Sequence, residues 1–169
     1  MRPETKLQFM KSRIKHFKNT IAILLLTASF ATAHAQDETA VIKEAIEAKQ
    51  FVFNVQIVSP ASGTMRQVGG EGYRVRLSGD SLFSALPYFG RAYSAPLNSD
   101  GGINFTSTKF DYTVKATKKG SWDIVIHPKG VNNLREFLLT VNESGNASLE
   151  ALSNNRQPIS FNGMVTALQ

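Results

Sequence analysis

Ser81 is the residue in this chain with the most catalytic-looking surroundings. It stands in the tetrapeptide Gly79-Asp80-Ser81-Leu82. A serine hydroxyl becomes a nucleophile only beside a base, most often a histidine that an acid orients. The sequence holds three histidines, His16, His34 and His127, and the first two fall in a segment that reads as a leader. His127 therefore carries any such role, with Asp123 four residues before it on what reads as a strand, where the two share a face. One histidine and no cysteine cannot build a typical zinc site. No metal and no cofactor is expected, and His127 before Pro128 reads as a strand-end surface residue.

The tetrapeptide is similar to the signature of the GDSL esterases and lipases. That resemblance implies a Ser81 nucleophile, an Asp–His pair three apart near the C-terminus, and an α/β sheet with a helix after the serine. Here the candidate pair is four apart and far from the chain end. Gly102-Ile103-Asn104 lacks the setting of the family's oxyanion-hole blocks, and Pro87 follows the serine within six residues. A turn explains the same four residues: Gly79 is free to take positive φ, and Asp80 and Ser81 supply turn hydrogen bonds. No catalytic residue is expected, and an esterase using Ser81 is the alternative.

A second cluster suggests binding. Phe83, Leu86, Tyr88, Phe89 and Tyr93 crowd together with Arg91 in the stretch from Gly72 to Tyr93, GYRVRLSGDSLFSALPYFGRAY. Such a cluster suits contact with a carbohydrate, peptide or lipid, or else it plugs one end of a barrel or sandwich. Pro87 cannot donate to a ladder and should end or edge a strand, and Gly90 permits a sharp reversal. Adjacent residues in extended chain face opposite sides, so Phe89 is expected inside and Tyr88 near the surface with its hydroxyl wet. Tyr88, Arg91 and Tyr93 are the candidate ligand-binding residues, because rings beside a guanidinium are common hot-spot composition.

These residues must be positioned by strands. Residues 37–50 read as a helix with Val41, Ile42, Ala45, Ile46 and Lys49 on one face. From Phe51 the period becomes two. Phe51, Phe53, Val55 and Ile57 share a face, Tyr73, Val75 and Leu77 alternate with Arg74 and Arg76, and Phe110, Tyr112, Val114 and Ala116 alternate with polar neighbours. Trp122, Ile124 and Ile126 follow, then Phe137, Leu139 and Val141, then Ala147, Leu149 and Ala151, and Ile159, Phe161 and Val165 close the series. Turn signals lie between them, with Lys118-Lys119 as a solvated hairpin tip. The pattern predicts a mainly all-β, antiparallel sandwich or small barrel of about eight strands with one N-terminal helix, since crossover helices for a parallel sheet are missing.

Residues 1–35 read as a signal peptide. A basic segment from Arg2 to Lys18 precedes the apolar run Ile21 to Phe30 and a small-x-small site at Ala33-His34-Ala35. The run is too short to span a bilayer, which needs about 20 residues. Residues 36–169 then form a single domain with no transmembrane segment. The leader holds six basic residues and one acid, so most of the net charge of +6 leaves with it. The basic balance is thus no argument for a nucleic-acid partner. The chain has no cysteine, so neither disulfides nor a lipobox anchor is expected, and the fold must rest on burial alone.

The stretch GYRVRLSGDSLFSALPYFGRAY, with GGINF (101–105), KKGSWDI (118–124) and ASLEALSNNRQPISFNG (147–163), resembles the bacterial domain-of-unknown-function family numbered 4251. Gly72, Leu86 to Gly90, Arg91 and Tyr93 carry most of the likeness, which covers nearly all of residues 36–169. It implies an exported, mostly β protein of Gram-negative gut bacteria with no assigned activity, and it offers no functional residues to carry over. In such bacteria Asp-Ser-Leu also looks like a periplasmic O-glycosylation site, which would place a glycan on Ser81. The expected function is a non-enzymatic periplasmic or secreted β module that binds an envelope protein, a glycan or a small apolar ligand; a small carrier with an apolar ligand inside the barrel is a further alternative. Protein recovered from the envelope should begin at Gln36, or at His34 if cleavage follows Ala33; an intact mass that retains residues 1–35 would contradict the leader reading.

Overall fold

The computed structural model describes residues 38–91, 93, 101–118, 120–131 and 134–168; the expected signal peptide lies outside them. A helix, α1, covers 38–47. Ten strands follow: β1 (Gln50–Pro60), β2 (Arg66–Gln67), β3 (Arg74–Ser78), β4 (Ser81–Leu86), β5 (Ile103–Ser107), β6 (Phe110–Ala116), β7 (Ser121–Pro128), β8 (Glu136–Asn142), β9 (Asn146–Leu152) and β10 (Ile159–Ala167). They form one antiparallel sheet in the order β5-β4-β3-β1-β10-β9-β8-β7-β6, with β2 paired to β1. The sheet is nearly closed into a barrel, which is how an antiparallel sheet limits its exposed edges.

The two ends of the path, β5 and β6, are consecutive in sequence. At their junction the Ser107 hydroxyl donates to the carbonyl of Lys109 at 2.8 Å, with the carbonyl of Lys129 at 3.2 Å. Across the interior the Phe105 and Phe137 rings stack with centroids 6.1 Å apart. The interior is filled by side chains: Phe51, Phe53, Phe137 and Phe161 are fully buried, with Leu77, Leu82, Ile126 and Val141 around them.

Alternation puts most of the expected residues where the sequence places them. Val75 and Leu77 are buried while Arg74 and Arg76 are exposed. Three departures have identifiable causes. First, the register of β1 slips between Val55 and Ile57, so Gln56 is an extra residue opposite β10. A bulge of this kind inverts the inward series. Ile57, expected inside with Phe53 and Val55, is half-buried, and Val58 takes the core position. Second, Ser81–Leu86 is a strand rather than only a turn and an aromatic tract. Its inward residues are Leu82, Ser84 and Leu86, and a buried polar Ser84 hides the alternation. The Ser84 hydroxyl is satisfied by donating to the Ile103 carbonyl at 2.7 Å. Third, the helix ends sooner than residue 50. Lys49 takes φ 56°, which ends α1 and turns the chain into β1 at Gln50.

Ile42, Ala45 and Ile46 form the buried face of α1, whereas Val41, expected beside them, is 49% exposed. At its start, the Thr39 hydroxyl donates to the Glu143 carbonyl in the β8–β9 turn at 3.3 Å. At its end, the Tyr112 hydroxyl of β6 donates to the Ile46 carbonyl at 2.8 Å, and Lys49 lies over the Phe110 and Tyr112 rings. The Ile46 carbonyl, which also accepts the Lys49 amide at 3.2 Å, thereby ties the end of the helix to the last strand of the path.

Burial holds the Tyr112 phenol neutral far above its ordinary value of 10.0. A folded-state pKa raised above the unfolded one gives stability that is complete below about pH 10 and is withdrawn as pH rises further. Tyr112→Phe should cost about 1 kcal/mol at neutral pH, the typical worth of a hydrogen bond. It should also flatten the loss of stability above pH 10. Equal alkaline slopes in denaturant titrations of the two proteins would contradict this.

Candidate functional site

Gly79 and Asp80 of the GDSL tetrapeptide make the turn between β3 and β4, and Ser81 and Leu82 already belong to the strand. Gly79 takes φ 58° between β3 and β4, its amide donates to the Lys49 carbonyl at 3.0 Å, and Ser81 opens β4 opposite Ser78. His127 lies opposite Asp111 near the end of β7, and across the near-closure of the barrel β5 and β6 stand between β4 and β7. Its Nδ1 faces the Glu136 carboxylate at 3.6 Å. Asp123 instead accepts the Thr140 hydroxyl at 2.9 Å. Ser81, Asp123 and His127 are thus not brought together. Among the described residues no three His, Cys, Asp or Glu side chains gather as metal ligands would.

The aromatic stretch leaves β4 at Leu86, and buried Pro87 ends the strand. The chain then lies against the β9–β10 connection. The Gln157 amide donates to the Arg91 carbonyl at 3.0 Å and the Tyr93 amide donates to the Asn155 carbonyl at 2.8 Å. Tyr88 clamps the same two segments. Its hydroxyl is 2.8 Å from the Arg91 carbonyl and 3.0 Å from that of Gln157, so one proton is shared between two acceptors. Tyr88 is half-buried rather than wet at its tip. Burial pushes its pKa up, partly offset by the Arg156 guanidinium. Phe89, expected inside, is also half-buried, with the Arg66 guanidinium 4.4 Å above its ring.

Gly90 keeps a φ outside the left-handed region, so a special turn is not what it supplies. Instead, a Cβ there would come within 2.6 Å of the Tyr88 hydroxyl oxygen and 2.8 Å of the ring carbon bearing it. Its missing side chain is the space in which the Tyr88 ring lies.

Sequence reasoning missed Arg156. It is only 7% exposed, which is rare for an arginine. One terminal nitrogen donates to the carbonyls of Gly101 at 2.8 Å and Gly102 at 3.2 Å, and the guanidinium carbon sits 5.0 Å from the Tyr88 ring centre. Arg156 thus ties the start of β5, the Tyr88 ring and the β9–β10 connection into one unit. Its flanking motif, NNRQP, reads only as a turn, and nothing in it signals a buried cation.

On this support stand the two exposed candidates. Arg91 is exposed, and Tyr93 is 72% exposed although its main chain is hydrogen-bonded. None of the ion pairs among the described residues includes Arg66, Arg91 or Arg156. With Arg156 buried, the surface therefore offers the Tyr93 ring and the exposed Arg66 and Arg91 to solvent, a composition suited to ligands bearing carboxylate, carbonyl or hydroxyl oxygens.

Gly90→Ala should displace the Tyr88 ring and destabilise by about 1–3 kcal/mol, the usual cost of overpacking. In the same variant the Gln157 and Tyr93 amides should exchange faster with solvent. Unchanged stability and exchange would show that the ring does not rest on Gly90.

A family model described as a domain of unknown function, DUF4251, matches residues 33–165. No curated protein matches the chain. Among solved structures, the crystal structure of a DUF4251 family protein from Bacteroides eggerthii DSM 20697 is 19% identical, covering 77% of this chain and 87% of that one with a TM-score of 0.59. That likeness bears on the fold, and the model spans most of the sequence from the predicted leader cleavage site to β10. The chain belongs to the DUF4251 family.

Proposed function

We infer that this protein is an exported, non-enzymatic β module that holds a partner or ligand at the cell envelope through the surface bearing Arg91 and Tyr93. Tyr88 fixes the shape of that surface from beneath. One observation carries the reading: a tyrosine ring stands 72% exposed on a backbone whose amide is hydrogen-bonded to a neighbouring segment. An exposed ring on a fixed support loses little entropy on binding, which favours recognition. The basic leader with its short apolar run supports export to the periplasm or beyond. No helix among the described residues is long and apolar enough to cross a membrane.

Two other readings have less support. An esterase would need a base oriented toward Ser81 by an acid, whereas His127 faces Glu136 and Asp123 holds Thr140. A carrier of an apolar ligand would need interior space, and four phenylalanines, Phe51, Phe53, Phe137 and Phe161, are fully buried in the core. The binding reading is tested with a photo-crosslinking residue at position 93 in living cells and the same residue at exposed Glu44 of α1 as control. A conjugate specific to position 93, diminished by Arg91→Ala, is expected, while Arg91→Ala should change stability by no more than about 0.5 kcal/mol. Labelling no greater than at Glu44 would overturn the surface, and hydrolysis of short acyl esters that Ser81→Ala removes would overturn the non-enzymatic reading.

A further inference from the structure

The outer face of the sheet carries a hollow that the site at residues 88–93 does not use. Its volume is about 360 Å³, at the lower end of the range of small-molecule sites, roughly 300–1,000 Å³. It crosses four neighbouring strands, β8, β9, β10 and β1. The walls are Gln56, Thr140, Asn142, Asn146, Ser148 and Asn162, every one a neutral amide or hydroxyl. The floor includes Ala147 and Gly163.

The fold itself makes this hollow. Gln56 is the extra residue of the β1 bulge, which twists β1 locally away from its partner. Opposite it, β10 carries Gly163, where a Cβ would run into the Asn54 carbonyl. Ser148 pairs with both Thr140 and Asn162 in the ladder, so one continuous row of hydroxyl and amide groups runs across the strands.

Several of these groups are held in fixed orientation before any ligand arrives. The Asn142 side-chain oxygen accepts from the Ser144 amide at 3.1 Å and from its hydroxyl at 2.9 Å. The Asn146 side-chain nitrogen donates to the same hydroxyl oxygen at 2.9 Å. This relay leaves the Asn142 amide nitrogen as donor and the Asn146 amide oxygen as acceptor for the hollow. The Thr140 proton is used on Asp123, so the Thr140 oxygen remains an acceptor.

We propose that this hollow is a binding site for a neutral oligosaccharide segment. Adjacent donors and acceptors without charge match vicinal hydroxyl groups, which each donate and accept. An anionic ligand would find no cation in the lining. A peptide adding itself as a strand needs an unpaired edge, and all four strands here are paired on both sides. No aromatic ring lines the hollow, so recognition rests on hydrogen bonds and selects hydroxyl geometry rather than a stacked sugar face. The site is separate from the Tyr93 surface, and its fate in the test below is independent of that one.

The experiment is a titration of the purified, isotope-labelled protein, followed by amide NMR, with four neutral trisaccharides: maltotriose, cellotriose, mannotriose and N-acetylchitotriose. An uncharged Gly-Ser peptide of similar length serves as comparison. At least one sugar should move the side-chain amide signals of Gln56, Asn142, Asn146 and Asn162 and leave those of Asn155 and Gln157 in place. Asn162→Ala should weaken that sugar at least tenfold, and Ser148→Arg, which fills the hollow, should abolish the shifts while core resonances stay unchanged. No shift at these amides with any sugar, shifts that survive both substitutions, or a stronger response to the peptide would overturn the proposal.

Discussion

The ladder between β1 and β10 is the constraint on which the rest of this protein depends. The sheet consists of two antiparallel meanders, one running β1-β3-β4-β5 and the other β10-β9-β8-β7-β6, joined where the first strand pairs with the last. That ladder runs from Phe51 opposite Ala167 to Pro60 opposite Ile159. It brings Phe51, Phe53 and Val58 of one meander against Phe161 and Val165 of the other, all buried. With no disulfide to bring distant segments together, side-chain burial and strand pairing must offset the entropy of closing so long a loop.

Both surfaces with binding character follow from this junction. At one end of the ladder, β10 begins after the 153–158 connection, and the exit from β4 comes to lie against it. There Tyr88 and Arg156 tie the two meanders together. The buried guanidinium is stabilised by two carbonyls and an aromatic face rather than by a carboxylate, which keeps a cation without leaving it wholly unsatisfied. In the middle of the ladder, the bulge at Gln56 opens the neutral hollow. At the other end, α1 leads into β1 and reaches the turn between β8 and β9 and the Tyr112 hydroxyl of β6.

Much of the fold was legible because the alternation of apolar residues survives in most strands. Trp122, Ile124 and Ile126, or Ala147, Leu149 and Ala151, are all buried, as their period of two requires. What escaped was set by partners remote in sequence. Ser84 is tolerated inside only because the Ile103 carbonyl accepts its proton. The bulge depends on Gly163, more than a hundred residues from Gln56, and it reverses the fates of Ile57 and Val58. Gly90 looked like a turn glycine, yet it serves the packing of Tyr88. Of the candidate site residues, Tyr88, Arg91 and Tyr93 do lie on one segment held by the β9–β10 connection, but their support, Arg156, sits in a stretch whose composition reads only as a turn. The hollow was equally invisible, since its lining comes from four strands and none of its residues is unusual alone.

The most direct test of this account is native-state hydrogen exchange across the β1–β10 ladder. If the ladder joins the two meanders, the amides of Val52, Asn54, Met164 and Thr166, which face one another across it, should exchange only through global unfolding. They should share one free energy and one denaturant dependence with the most protected amides of β3 and β8. Exchange of the ladder amides at markedly lower free energy than those of β7 and β8 would show the second meander to be stable without the first, and would contradict the account.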